Sequence, residues 1–231
     1  MSDKNRSLGR SVEKIYSFYS PFYDLVFGKM LQPGSELAFS YLNEKPHQKI
    51  LDIGVGTGIT FNLYPEQSYV VGIDICPKMI ERAKKRAAIS SNGHQISLYV
   101  MDACSLEFED ESFDAVISPY VITTARDPLK LCQEMYRVCK MGGQIIIVNH
   151  SKSSGGLRSK FEEWLSPLFI RAGFLTDLDV IELVASTQIQ VQKVIDCNTF
   201  NLHKVIVGVK NKSIKGIPLA KTFKAKSPGY Q

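Results

Sequence analysis

Between Lys49 and Thr60 the chain reads KILDIGVGTGIT, an apolar strand that runs straight into a turn with glycine at alternate positions. Ile50, Leu51 and Ile53 predict a buried strand of the kind found inside a parallel sheet. Gly54, Gly56 and Gly58 follow at its carboxyl end, where backbone without Cβ atoms can turn sharply and let a ligand come close. Such a turn alone is a weak signal. A second strand, Tyr69–Ile75, carries Asp74 at its tip, twenty residues beyond Gly54. A carboxylate there can accept both hydroxyls of a ribose. Strand, glycine turn and distant acid together predict an α/β core that binds a nucleoside-bearing cofactor.

The charge beside the turn narrows the cofactor. A dinucleotide turn reads G-x-G-x-x-G and aims a helix N-terminus at a pyrophosphate. Here the glycines fall as G-x-G-x-G behind Asp52, a poor neighbour for phosphates and a good one for a cation. A third strand, Gln95–Met101, ends in Asp102 and Ala103; a fourth covers Phe113–Ser118, and a fifth covers Gln144–Val148 behind Gly142 and Gly143.

In this order and at these spacings the residues resemble the class I S-adenosylmethionine-dependent methyltransferases. The resemblance implies a Rossmann-like α/β fold: a mostly parallel seven-stranded sheet, helices on both faces, and an antiparallel C-terminal edge strand. It implies that the loop from Asp52 through Gly54, Gly56 and Gly58 cradles the amino-acid end of S-adenosyl-L-methionine. Asp74 would hold the ribose, and Asp102 with Ala103 would read the adenine. Tyr19, Ile75, Met79 and Ser118 are counted with the same site.

The chain has 231 residues, enough for one domain with a large core and short for two. With 44% apolar and 22% charged residues it has the composition of a soluble globular protein. It holds no apolar run of membrane-spanning length, and its polar start carries no apolar signal segment. Cys76, Cys104, Cys132, Cys139 and Cys197 are odd in number and scattered, which suits reduced thiols in a cytoplasm; no metal site is expected. Charge is unevenly spread. The seven lysines after Asp196 carry +7 with no acid among them, so at a total of +5 the rest of the chain sums to −2. Such a tail suits an anionic surface, at roughly 1 kcal/mol per lysine near an anionic membrane. It reads equally as a solvated basic end.

Three parts are expected: N-terminal helices over residues 1–45, a cofactor-binding core over 46–210, and a basic tail over 211–231. Residues 11–31 predict helix broken near Pro21, and Gly34–Leu42 a short helix. The core then alternates: strand 50–54, helix 57–64, strand 69–75, helix 77–90. Pro77 opens the last of these, whose outer face is basic with Lys78, Arg82, Lys84, Lys85 and Arg86; a solvated surface explains that face better than nucleic acid does. Asp127 and Pro128 predict a capped helix that runs to Lys140. Lys160–Phe174, around Trp164, is amphipathic, and Ile189–Ile195 and Leu202–Val209 predict a closing hairpin.

Ligands of open α/β sheets sit outside the carboxyl ends of the strands. An acceptor should therefore meet the methyl donor near Ser118-Pro119-Tyr120 and Asn149-His150, under the N-terminal helix and segment 151–175. An amine acceptor, with a pKa near about 10.4 if it resembles lysine, must lose a proton before it attacks. His150 is the expected acceptor of that proton. Tyr19 and Tyr120 are candidate catalytic groups, and Tyr16, Tyr19, Tyr23 and Tyr120 could hold a cation on their rings. Tyr19 and Tyr23 also read as packing of a covering helix. Tyr23, Asn149, His150, Arg158, Arg171 and Lys204 are the candidate substrate contacts, the last three from charge alone.

A narrower likeness covers residues 15–150. FYSPFYDLVFGKMLQPG, ILDIGVGTGITFNLYP, GIDICPKMIERAKKRA and RDPLKLCQEMYRVCKMGGQIIIVNH are similar to bacterial phosphatidylethanolamine N-methyltransferases of the soluble, quinone-methylase-like type. The likeness implies methylation of phosphatidylethanolamine and its mono- and dimethyl forms toward phosphatidylcholine. It also implies a cytoplasmic enzyme peripheral to the inner face of an anionic membrane, with the N-terminal tyrosines over the cofactor. C-methylation of a quinone ring, N- or O-methylation of a small molecule, and a cofactor-binding module without chemistry are the competing readings.

Overall fold

The computed structural model describes residues 29–42, 45–89, 95–150, 178–197 and 203–211, with backbone only at Lys29, Met30 and His150. Tyr16, Tyr19, Tyr23, Arg158, Trp164, Arg171 and the tail beyond Asn211 lie outside the described residues, and so does the side chain of His150.

Helix α1 (Lys29–Phe39) precedes strand β1 (Lys49–Ile53), where every residue after Lys49 is buried. That continuous burial is the mark of a strand covered on both faces. Strand β2 (Tyr69–Asp74) leads through Cys76 into helix α2 (Pro77–Ala87), with Pro77 in its first turn and Met79, Ile80 and Ala83 buried. Strands β3 (Gln95–Val100) and β4 (Phe113–Pro119) follow. Helix α3 (Pro128–Val138) opens at Asp127, whose side chain accepts from the Lys130 amide. Strand β5 (Cys139–His150), helix α4 (Val180–Ala185) and strands β6 (Gln190–Cys197) and β7 (His203–Val209) complete the described elements.

The seven strands form one sheet in the order β3-β2-β1-β4-β5-β7-β6. β1 to β5 are mutually parallel, while β7 runs antiparallel to both of its neighbours. The last strand thus inserts beside β5, and β6 forms the edge. Alternation along the central strands divides the core in two. Leu51, Val116, Ile145 and Ile147 pack with Leu131, Met135, Val180 and Val184 of α3 and α4. Ile50, Ala115, Ile117, Ile146 and Val148 pack with Ala38 and Phe39 of α1 and Ile80 and Ala83 of α2. Helices therefore cover both faces.

Four expected helices differ from what forms: the one set at Gly34–Leu42 covers Lys29–Phe39, the one set at 77–90 ends at Ala87, and two depart further. Residues 57–64 make a turn and one short 3-10 helix, Phe61–Leu63. Gly58 has φ +76°, outside the helical region, and Tyr64 is extended (ψ 148°) because Pro65 follows it. The helix expected to reach Lys140 ends at Val138, since Cys139 turns extended and pairs with Phe113. Among the described residues no helix is long and apolar enough to cross a membrane.

Candidate active site

The strand order changes direction between β1 and β4, so the chains leaving these strands diverge and open a crevice beyond their carboxyl ends. A cleft of about 340 Å³ lies there. Of the residues expected to hold a cofactor, Asp52, Gly54, Gly56, Asp74, Ile75, Met79, Asp102 and Ala103 line it, and so does Tyr120. Gly58 does not line it, and Ser118 is fully enclosed within β4, its Oγ without a partner among the described residues. Asn149 is also enclosed, its Oδ1 accepting from Thr123 Oγ1 at 3.0 Å. Lys204 does not line the cleft; its ammonium is held at 2.6 Å by Asp196 across the β6–β7 pair.

The glycine turn is shaped by contact as much as by dihedral freedom. Gly54 has φ +77°, and a Cβ on it would lie 2.1 Å from Val121 Cγ2. Its amide and that of Val55 donate to Ile73 O at 2.8 and 2.9 Å, binding the turn to β2. Asp74 completes the tie: Oδ2 accepts from the Gly56 amide at 3.1 Å and Oδ1 from the Cys76 amide at 2.8 Å. Burial raises the Asp74 carboxyl to about 6, against the lowering effect of those two amides.

Beyond β3, Asp102 Oδ1 accepts from the Cys104 amide at 2.8 Å while Oδ2 pairs with Arg126 at 3.0 Å. Asp52 lies on the floor at the end of β1. Its Oδ2 accepts from the Tyr64 hydroxyl at 2.6 Å, and Oδ1 is buried with no partner among the described residues. Burial is the largest cause that pushes this carboxyl up to about 7; the Tyr64 hydrogen bond lowers it and the Asp74 charge raises it.

The other end of the cleft is built from distant segments. Tyr120 stands at φ +61°, its amide donating to Val148 O at 2.7 Å. Its hydroxyl donates to Leu31 O of α1 at 3.1 Å and lies 3.1 Å from His203 Nδ1. A carbonyl can only accept, so both contacts are satisfied when His203 carries its proton on Nδ1. Gly34, in the middle of α1, admits this arrangement, because a Cβ there would lie 2.0 Å from the Tyr120 hydroxyl oxygen. Gln32 and Glu36, on the same helix, also line the cleft, with Glu36 Oε1 accepting from Gln32 Nε2 at 2.7 Å.

Tyr64, Arg126, Glu36 and His203 were not singled out from the sequence. Arg126 directly precedes the Asp127-Pro128 cap and Tyr64 ends the glycine turn's own segment, so proximity to known motifs was their one signal. Glu36 and His203 carry none.

A methyltransferase domain model matches residues 51–147, the span that contains every cofactor-facing strand end. The chain is 30% identical over 169 residues to a phosphatidylethanolamine N-methyltransferase of Cereibacter sphaeroides, covering 73% of this chain and 83% of that protein. The chain belongs to the class I S-adenosylmethionine-dependent methyltransferases. This methyltransferase is also 28% identical, over 62% of its length and 64% of the relative's, to a ubiquinone/menaquinone biosynthesis C-methyltransferase of Geotalea daltonii. Among solved structures it is similar to Haemonchus contortus phosphoethanolamine N-methyltransferase 2 in complex with phosphomonomethylethanolamine and S-adenosylhomocysteine. The TM-score is 0.63 at 21% identity, covering 84% of this chain and 57% of that one.

The residues present fit S-adenosyl-L-methionine. The cofactor carries an ammonium and a sulfonium, and among the described residues the cleft brings Asp52, Asp74 and Asp102 against one arginine, itself paired to Asp102. The buried Asp52 oxygen without a partner is a site that a cation would complete, since leaving such a group unpaired is costly.

Proposed function

We propose that this methyltransferase transfers methyl groups to the amine of phosphatidylethanolamine, and onward through its mono- and dimethyl forms to phosphatidylcholine, at an anionic membrane surface. The observation that carries this reading is the 30% identity that spans 83% of the Cereibacter sphaeroides lipid N-methyltransferase. The cleft supports it: Glu36 adds a carboxylate on the acceptor side, which suits an incoming ammonium better than a quinone ring.

When bound, S-adenosyl-L-methionine supplies a methyl group on a positively charged sulfur, open to in-line attack by a lone pair. The chain's work is positioning and desolvation. Asp74, fixed by two backbone amides, offers its carboxylate to a ribose; Asp102, held by Cys104 and Arg126, faces the adenine end. Tyr120 fastens α1 over the acceptor end through Leu31. An ammonium acceptor must give up a proton before it attacks. We assign that proton to His150, whose backbone lies opposite His203 at the end of β5. Tyr19 and Tyr23 would cover the cofactor from the N-terminal segment, and Arg158 and Arg171 would face lipid phosphate. The lysine-rich tail and the Trp164 segment would rest on anionic lipid.

The test is label transfer from methyl-labelled S-adenosylmethionine to vesicles of phosphatidylethanolamine mixed with anionic lipid. Label in mono-, di- or trimethylated lipid is expected, and a chain lacking residues 212–231 should bind those vesicles less with unchanged cofactor affinity. Absence of label in lipid, with S-adenosylhomocysteine binding intact, would overturn the lipid reading. Label in a demethylated quinone would then favour the second reading, which the Geotalea daltonii relative supports.

A further inference from the structure

The glycine turn of the cofactor site ends in a side chain with no part in the recognition described above. Tyr64 follows the short 3-10 helix Phe61–Leu63, and its ring packs edge-on to Phe39 at 5.1 Å and beside Phe61 at 6.3 Å. Those contacts and the extended backbone before Pro65 fix where the hydroxyl goes: to Asp52 Oδ2, 2.6 Å away and wholly buried. Thr60, on the wall of the cleft, donates its own side-chain hydrogen bond to the Tyr64 oxygen. A directed chain results, from Thr60 through Tyr64 to Asp52. A phenol that accepts one hydrogen bond becomes a better donor of the next, so the chain polarises toward the carboxylate.

We propose that Tyr64 is a positioning residue for cofactor binding, whose hydroxyl holds the buried Asp52 carboxylate ionised and turned so that Oδ1 meets the cofactor's cationic amino-acid end. Without Tyr64 the carboxylate faces two opposing influences and no helper. Burial disfavours its charge, and the neighbouring Asp74 carboxylate disfavours it further. Among the described residues, the Tyr64 hydroxyl is the contact that opposes both. Among the described residues, Tyr64 at the turn and Asp74 on β2 act on Asp52, and the cleft it faces is also lined by Glu36 on α1, Asp102, Cys104, Tyr120 and Arg126. The proposal concerns cofactor affinity and is independent of which acceptor is methylated.

The consequence is a pH signature. An ammonium ligand binds the ionised carboxylate better, so affinity should fall as pH drops through about 7. Removing the Tyr64 hydroxyl should move that fall to higher pH. The experiment is calorimetric titration of wild type, Tyr64→Phe and Asp52→Asn with S-adenosylhomocysteine from pH 5.5 to 8.5. Tyr64→Phe keeps the ring and its stacking on Phe39 and Phe61. We expect its midpoint to rise by about one pH unit, which is about a fivefold loss of affinity at pH 7 that approaches about tenfold below pH 6 and shrinks toward pH 8.5. Asp52→Asn should bind weakly with the upper step absent, leaving the lower step of Asp74 near 6 in place. A Tyr64→Phe curve parallel to wild type, whether displaced or superimposed, would overturn the proposal, because a merely structural tyrosine costs the same at every pH. Should Tyr64→Phe fail to fold, Thr60→Val weakens the same chain one step back, and the midpoint should shift in the same direction by less. An unshifted midpoint in that variant would count against the proposal equally.

Discussion

At the cofactor end of the cleft, polar side chains are tied to partners close along the chain. Asp74 is held by amides two and eighteen residues away, Asp52 by a hydroxyl twelve away, and Asp102 by an amide two away. At the acceptor end the partners are remote. Tyr120 reaches Leu31 across 89 residues and His203 across 83. The first end is built within the unit from β1 to β2 and the turn after β3, with Arg126 reaching back to Asp102. The second exists only once α1, β4, β5 and β7 have packed. A fold divided in this way can hold one cofactor while the other half changes acceptor, which is how relatives named for lipid amines and for quinones come to share one core.

The largest expected effect breaks the cofactor end by removing its buried charge. The folded-state pKa of Asp52 is raised, so its contribution to stability is fully present below the ordinary aspartate value and is lost as pH rises through about 7. Asp52→Asn removes that loss. Chemical denaturation of the cofactor-free protein should show the variant more stable than wild type at pH 8, by roughly 2–4 kcal/mol, and no more stable at pH 4. Equal stability at both values would mean that the carboxylate is solvated in the empty cleft. Next comes Asp74→Ala, which strips the carboxylate proposed to accept from the ribose and releases the Gly56 and Cys76 amides; S-adenosylhomocysteine should bind about 100-fold more weakly by calorimetry.

The acceptor end should respond separately. Gly34→Ala gives α1 a better helix former by about 1 kcal/mol but drives a methyl into the Tyr120 hydroxyl. Methyl transfer should fall about tenfold in kcat/KM through misplacement of the acceptor. Cofactor affinity should stay within about twofold, as expected for sites without shared partners. A matching loss of cofactor affinity would show that the two ends are one unit. The smallest effect is Tyr120→Phe, which keeps the ring and loses the tie to Leu31. Stability should drop by about 1 kcal/mol, read as a melting temperature lower by about 2–4 °C. No change would mean that packing alone seats α1.

The sequence by itself determined the sheet core and the cofactor end. Buried strands announce themselves as apolar runs, and the glycines and acids that end them act within a few residues of the strand that positions them. That locality is why Asp52, Gly54, Gly56, Asp74 and Asp102 were readable at fixed spacing. Only the tertiary structure decided what Tyr64, Arg126, Glu36 and His203 do. Tyr64 matters because Pro65 and two aromatic rings aim its hydroxyl at a carboxylate on another element. His203 matters because β7 inserts beside β5 and brings it under Tyr120. Ser118 and Asn149, which the sequence set near the site, are enclosed within β4 and β5. Spacing along a strand says where a residue falls, but the pleat and its neighbours choose which way it points. The acceptor end is written in contacts between distant segments, and no local pattern carries those.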